Sequence, residues 1–169
     1  TLSSAVNAAG PRNLVYTGTK TSLDFPAGKF PLTLTTIRCV EHFQGGPITR
    51  NNWWNVQQEP EPWIEISSYD ARLYGIVDGD MVKVVTARTE DLVNDELPLY
   101  GEGFRARVGV GLVSNQRVAP GVVAIPWHWG DKGLSTGSRA NDLTIDAVDA
   151  NTTIPEYKAC LCRIERIPS

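Results

Sequence analysis

Six short runs carry most of the apolar patterning of this chain: FPLTLTTIR, WIEI, MVKVVT, FRARVGVGLV, GVVAIP and YKACLCRIERI. Most of them alternate apolar and polar residues, the two-residue period of a strand with one face buried. One segment reads clearly as a helix: Ser67 or Ser68 caps it, Asp70 sits in its positive first turn, and Gly75 stops it. Asp78-Gly79 then marks a tight turn into the next strand. The expected strands are Phe30–Arg38, Trp63–Ile66, Met81–Thr86, Phe104–Val113, Gly121–Pro126 and Tyr157–Ile167. Between them, residues 55–62 read as a turn and 88–103 as a long acidic hairpin loop. Residues 131–142 read as a Gly- and Ser-rich loop, and Leu143–Thr153 as loop or one short helix. Strands this short leave open edges unless the sheet closes on itself, so a mainly β, antiparallel-rich closed barrel is expected. Residues 1–29 read as a linker or approach segment, and 30–169 as the barrel domain.

A length of 169 residues, 41% of them hydrophobic, suffices for one domain with its own core. The net charge of −3 and a pI near 5.4 argue against nucleic-acid binding, which calls for a basic stripe. No apolar run has the length of a bilayer-spanning helix. The opening TLSSAVNAAG has neither the basic start nor the apolar core of a signal peptide. Cys39 stands alone, while Cys160 and Cys162 share one face of a strand; the spacing fits buried filler, not a metal framework or a disulfide scaffold.

The stretch LTLTTIRCVEHFQGGPITRNNWW begins as a strand and opens into a loop rich in binding groups. Arg38 offers a planar fork for a phosphate or carboxylate, and His42 can donate or accept. Gly45 and Gly46 allow the backbone to approach a ligand closely. Two more polar-aromatic clusters, PWHWGDKG with RANDLT and then PEYK, lie at the ends of expected strands. None contains a nucleophile elbow, an HEXXH helix or a phosphate-binding P-loop. Together they suit a large anionic, heteroaromatic ligand. Arg38 and Lys158 could pair phosphates, Asn141 and Asp142 could read amide-like ring edges, and Trp and Tyr rings could form walls. Structural roles are equally compatible with these residues: core positions for Trp127 and Trp129, a solvated Lys158, and a surface pair between Arg38 and Glu41.

Resemblance narrows these alternatives. The unit SSYDARLYGIVDGDMVKVV resembles the repeating unit of double-psi β-barrels and implies a six-stranded barrel of that topology. TTIRCVEHF with a following TR, IPWHWGDKG, the AND-LT segment and DANTTIPEYK resemble the C-terminal domain of molybdenum- or tungsten-dependent formate dehydrogenase large subunits. These belong to the molybdopterin oxidoreductases, and the resemblance runs from about Phe30 to Ile167. It implies a domain that caps a bis-molybdopterin guanine dinucleotide cofactor carrying Mo or W. Thr36, Arg38 and His42 would contact it from the first loop, Trp127 and His128 from the second, and Asn141, Tyr157 and Lys158 from the last two. The implied reaction is oxidation of formate to carbon dioxide, or its reverse. The metal-ligating Cys or selenocysteine and an iron–sulfur cluster would lie outside this sequence, so the chain by itself is expected to be inactive. Implied partners are the remaining domains of the large subunit and an iron–sulfur electron-transfer subunit, with formate and CO2 as substrate; no nucleic acid and no direct membrane insertion are expected. The implied location is periplasmic, with the cytoplasm as the alternative. Two features depart from the pattern: residues 88–103 exceed a tight hairpin, and the first thirty match no motif. The alternatives are the same domain of a nitrate-, thiosulfate- or formylmethanofuran-type enzyme or a non-redox hydratase, and a non-catalytic double-psi barrel acting as an interaction module.

Overall fold

A computed structural model describes residues 14–16, 26–91, 104–109, 118–144, 147–158 and 160–168. Its elements in chain order are β1 (Leu14–Tyr16), β2 (Leu32–Ile37), α1 (Trp53–Gln58), β3 (Trp63–Ile66), α2 (Ser68–Tyr74) and β4 (Met81–Thr86). They continue as α3 (Ala87–Asp91), β5 (Phe104–Gly109), β6 (Val122–Pro126), β7 (Ala147–Asp149) and β8 (Cys160–Arg166). Six strands close into a double-psi β-barrel in the order β2-β6-β3-β5-β4-β8, with β8 pairing back onto β2. Closure leaves the barrel without an exposed edge. Alternation along β2 buries Leu32, Leu34 and Thr36 and turns Thr33, Thr35 and Ile37 outward. Leu34, Ile64, Ile66, Val82, Val84, Val123, Ile125 and Cys162 fill the interior. Among the described residues no helix is long and apolar enough to cross a membrane.

Two neighbour pairs in the ring, β2 with β6 and β3 with β5, run parallel; the other contacts are antiparallel. Parallel neighbours cannot share a hairpin, so the chain must cross an end of the barrel between them. The β2–β6 register pairs Ile37 with Pro126, which brings the segments starting at Arg38 and Trp127 out of the same end side by side. Antiparallel β8 pairs Cys160 with Leu34, so the residues just before it run back along β2 toward Thr36.

The helix signal is realised residue by residue in α2. The Ser67 hydroxyl accepts from the Asp70 amide at 3.1 Å and donates to the Asp70 carboxylate at 2.7 Å. That carboxylate also accepts from the Gly121 amide at 2.8 Å, tying the helix to the approach of β6. Gly75 stops the helix at φ 65°, in the left-handed region open to glycine. Ser67→Ala should lower unfolding stability by about 1 kcal/mol, read as a lower denaturation midpoint, with the site at the other end of the fold unaffected.

Several expectations are corrected. Residues 55–62 are not simply a turn: α1 occupies Trp53–Gln58, capped by the Asn52 side chain, which accepts from the Trp54 amide at 3.1 Å. The helix buries none of its residues, so no apolar stripe announced it, and Pro60 and Pro62 dominate the local pattern. The acidic segment begins as a helix, α3, directly after β4; its remainder, 92–103, lies outside the described residues. Within Leu143–Thr153 the structure has a strand, β7, where loop or helix was expected. It pairs antiparallel with β1, which comes from the segment read as a linker. A three-residue partner is too local for any periodic signal. The first and last strands are shorter at both ends than expected, and β5 is described only to Gly109.

Candidate functional site

A cavity of about 720 Å³ opens at the end of the barrel where β2 and β6 emerge together. Thr36, Arg38, Trp127, Asn141, Tyr157 and Lys158 line it, six positions gathered from four separated parts of the sequence. Gln44, Arg88 and Asp142 line it too. The Arg38 guanidinium lies over the Trp127 ring, 5.5 Å from its centroid. The Thr36 hydroxyl donates to the Tyr157 carbonyl at 3.1 Å, and the Lys158 ammonium donates to the Thr36 carbonyl. These two bonds fold the PEYK segment against the end of β2, continuing the β2–β8 register.

Three cations, Arg38, Lys158 and Arg88, face one carboxylate, Asp142. Burial, reinforced by the neighbouring Arg38, holds the Lys158 ammonium below its ordinary pKa. An anion placed between the two would relieve that repulsion. Burial pushes the Asp142 carboxyl up, partly offset by Arg139, whose Nε is 3.3 Å from Asp142 Oδ2. With Asn141 beside it, this corner offers both an acceptor and an amide.

Arg88 is the charged cavity residue that sequence reasoning missed, and Gln44 was missed with it. Arg88 sits on α3, where Thr89 Oγ1 accepts from the Thr86 amide at 2.9 Å and closes the turn out of β4. Its Nη1 donates to the Asn141 carbonyl at 3.0 Å and the Thr144 carbonyl at 2.9 Å, and the Thr86 hydroxyl donates to the Leu143 carbonyl at 2.8 Å. Thus the β4–α3 junction positions Asn141 and Asp142. Among the described residues, Arg88 Nε is one of two buried side-chain nitrogens with no protein partner, the other being Arg50 Nε. A buried donor on a cavity wall is what a bound anion or ring acceptor would satisfy. Glu90, from the same short helix, is held on the other side by Lys29 at 2.8 Å and by Arg163. Its carboxyl lies below the usual range because those hydrogen-bonded cations outweigh burial, which acts the other way.

The two histidines stand behind the cavity, outside its lining. His42 is buried; its Nε2–H donates to the Glu59 carbonyl at 2.9 Å, and its Nδ1 lies 3.1 Å from the Thr49 hydroxyl. His128 is fully enclosed, with Nδ1–H donating to the Gln44 carbonyl at 2.5 Å and Nε2 accepting from the Cys39 amide at 2.8 Å. His128 spends both nitrogens on the loop after β2, whereas His42 ties Thr49 of that loop to Glu59 at the end of α1. Of the two tryptophans flanking His128, Trp127 forms a cavity wall. Trp129 is buried, with its indole N–H donating to Ser135 Oγ at 2.8 Å. Arg50 is buried as well, Nη1 donating to the Lys132 and Ser135 carbonyls, and burial holds its pKa below the ordinary value against the pull of Asp131. Among the described residues no group of three His, Cys, Asp or Glu could hold a metal ion.

Comparison with known proteins agrees with this chemistry. The sequence profile of the Molydopterin dinucleotide binding domain matches residues 32–94 and 102–161. The F420-dependent formate dehydrogenase 1 subunit alpha of Methanococcus maripaludis is 32% identical over 139 residues, spanning 82% of this chain and 17% of that protein. The nitrate-inducible formate dehydrogenase major subunit of Escherichia coli is 36% identical over 146 residues, spanning 82% of this chain and 13% of that protein. Acetylene hydratase from Pelobacter acetylenicus shares the fold at a TM-score of 0.60 and 16% identity, covering 83% of this chain and 19% of that one. The chain therefore corresponds to less than a fifth of the length of these relatives.

Proposed function

The chain belongs to the molydopterin dinucleotide binding domain family, and from that premise we propose that it is the cofactor-capping domain of a formate dehydrogenase catalytic subunit. The observation that carries this reading is the single cavity ringed by Thr36, Arg38, Arg88, Trp127, Asn141, Asp142, Tyr157 and Lys158. Its donor set fits a molybdopterin guanine dinucleotide. The three cations suit a pyrophosphate, Asp142 and Asn141 suit the amino and imide edge of a guanine or pterin, and Trp127 and Tyr157 supply flat walls. The reading as a formate enzyme is supported by relatives of that name at 32% and 36% identity; a periplasmic nitrate reductase stands at 31%.

When bound, the cofactor would supply a Mo or W centre for two-electron oxidation of formate to CO2. This domain's residues would hold one end of it: Arg38 and Lys158 neutralise phosphate, Arg88 fixes the 140–144 wall, and Thr36 anchors the Tyr157–Lys158 segment. Bis-dinucleotide binding, the metal ligand and an iron–sulfur cluster in other parts of the enzyme, an electron-transfer subunit and a periplasmic location all belong to this proposal. Acid extraction of the full-length enzyme should release guanine nucleotide together with stoichiometric molybdenum or tungsten. Protein yielding neither would instead be an interaction module built on the same barrel.

A further inference from the structure

One imidazole connects three parts of the cavity wall. His128 Nδ1–H donates to the carbonyl of Gln44, Nε2 accepts from the amide of Cys39, the residue after Arg38, and the ring stacks against Trp127 at 5.2 Å and 30°. Gln44 carries a strained backbone, φ 53°, unusual for a residue other than glycine. Such a conformation persists when its surroundings hold it, and the bond to His128 does so directly. The ring is wholly buried, and the bond from the Cys39 amide is buried with it, while the Gln44 arm is part-buried.

Because a carbonyl only accepts and an amide only donates, these partners dictate the neutral tautomer with the proton on Nδ1. A second proton on Nε2 would point at the Cys39 N–H and break that arm. The ionisable groups facing the ring are His42, with centroids 6.0 Å apart, Arg38 and Glu41. Burial pushes the His128 pKa below its ordinary value; His42 and Arg38 add to this, while the Gln44 carbonyl and Glu41 oppose it. The neutral latch is therefore stable above the unfolded value near 6.5, and it weakens as pH falls below that and through the lower folded value.

We infer that His128 is a positioning residue: its neutral imidazole latches the 38–44 loop so that Arg38, Gln44 and Trp127 face the cofactor cavity together, and protonation releases the loop. The identity of what the loop grips rests on the proposed function above; the latch itself does not.

The test is hydrogen exchange of the 38–46 segment in the full-length enzyme, corrected for the intrinsic pH dependence of the chemistry. Wild type should show protection that falls by roughly tenfold between pH 7 and pH 5, on the scale of one lost hydrogen bond to a buried group. His128→Phe should exchange fast at both pH values. His128→Gln, whose amide oxygen can accept from Cys39, should recover part of the protection and lose the pH response. A wild-type segment with pH-independent protection, or Phe and Gln variants that behave alike, would overturn the latch. Guanine nucleotide measured in the same preparations separates the two ideas. Nucleotide-free wild type with a responsive loop rejects the cofactor reading and keeps the latch; loaded enzyme with an indifferent loop does the reverse.

Discussion

Arg38→Ala in the full-length enzyme is expected to lose cofactor while leaving the barrel folded. The guanidinium is exposed at the cavity and lies over the Trp127 ring, where it can present a planar pair of donors to a phosphate. Removing one charge-assisted contact costs about 1.5–3 kcal/mol, roughly ten- to a hundredfold in affinity. Because the side chain contributes little to the core, the stability of cofactor-free protein should shift by less than about 0.5 kcal/mol. Arg38→Lys should fall between, since it keeps the charge and loses the fork. The checks are metal content, guanine nucleotide content and denaturation midpoint. Wild-type occupancy and activity in Arg38→Ala would remove Arg38 from the site.

Gly46→Ala should do the opposite, damaging the loop before any ligand is involved. Gly46 sits at φ 78°, and an added Cβ would fall well inside contact distance of the His128 carbonyl and 2.8 Å from Arg50 Nε. The left-handed backbone alone costs a residue with a Cβ about 1–2 kcal/mol. The carbonyl belongs to the residue that latches the loop, so it has little room to retreat, and overpacking of this kind adds about 1–3 kcal/mol. A lower melting temperature with low cofactor occupancy is the expected pair of results. Gly45→Ala makes the contrast, because an added Cβ there meets nothing within 4 Å and the backbone is not left-handed. Equal stability of the two variants would show that Gly46 is not a close-packed point.

Much of this molecule could be read without coordinates. The alternating runs located the six barrel strands, and Ser67, Asp70 and Gly75 delimited α2. The motif residues Thr36, Arg38, Trp127, Asn141, Tyr157 and Lys158 were singled out, and all six line one cavity. What failed had little local signal. α1 has no buried face, β7 is three residues long, and Arg88 lay in a segment whose acidity masked its use.

Alternation and capping are properties of near neighbours in the chain, so the sequence by itself determined which six segments are the barrel strands, where α2 starts and stops, and which side chains can bind an anion. Strand partners and their register involve residues far apart along the chain, and only the closed barrel decided them. The parallel β2–β6 pairing sets Arg38 beside Trp127, and the β2–β8 register sets Lys158 against Thr36. The same distance limit explains the histidines. Each was legible as a donor and acceptor, but what a ring bonds depends on which groups packing leaves within reach: the Gln44 carbonyl and Cys39 amide for His128, the Glu59 carbonyl and Thr49 hydroxyl for His42.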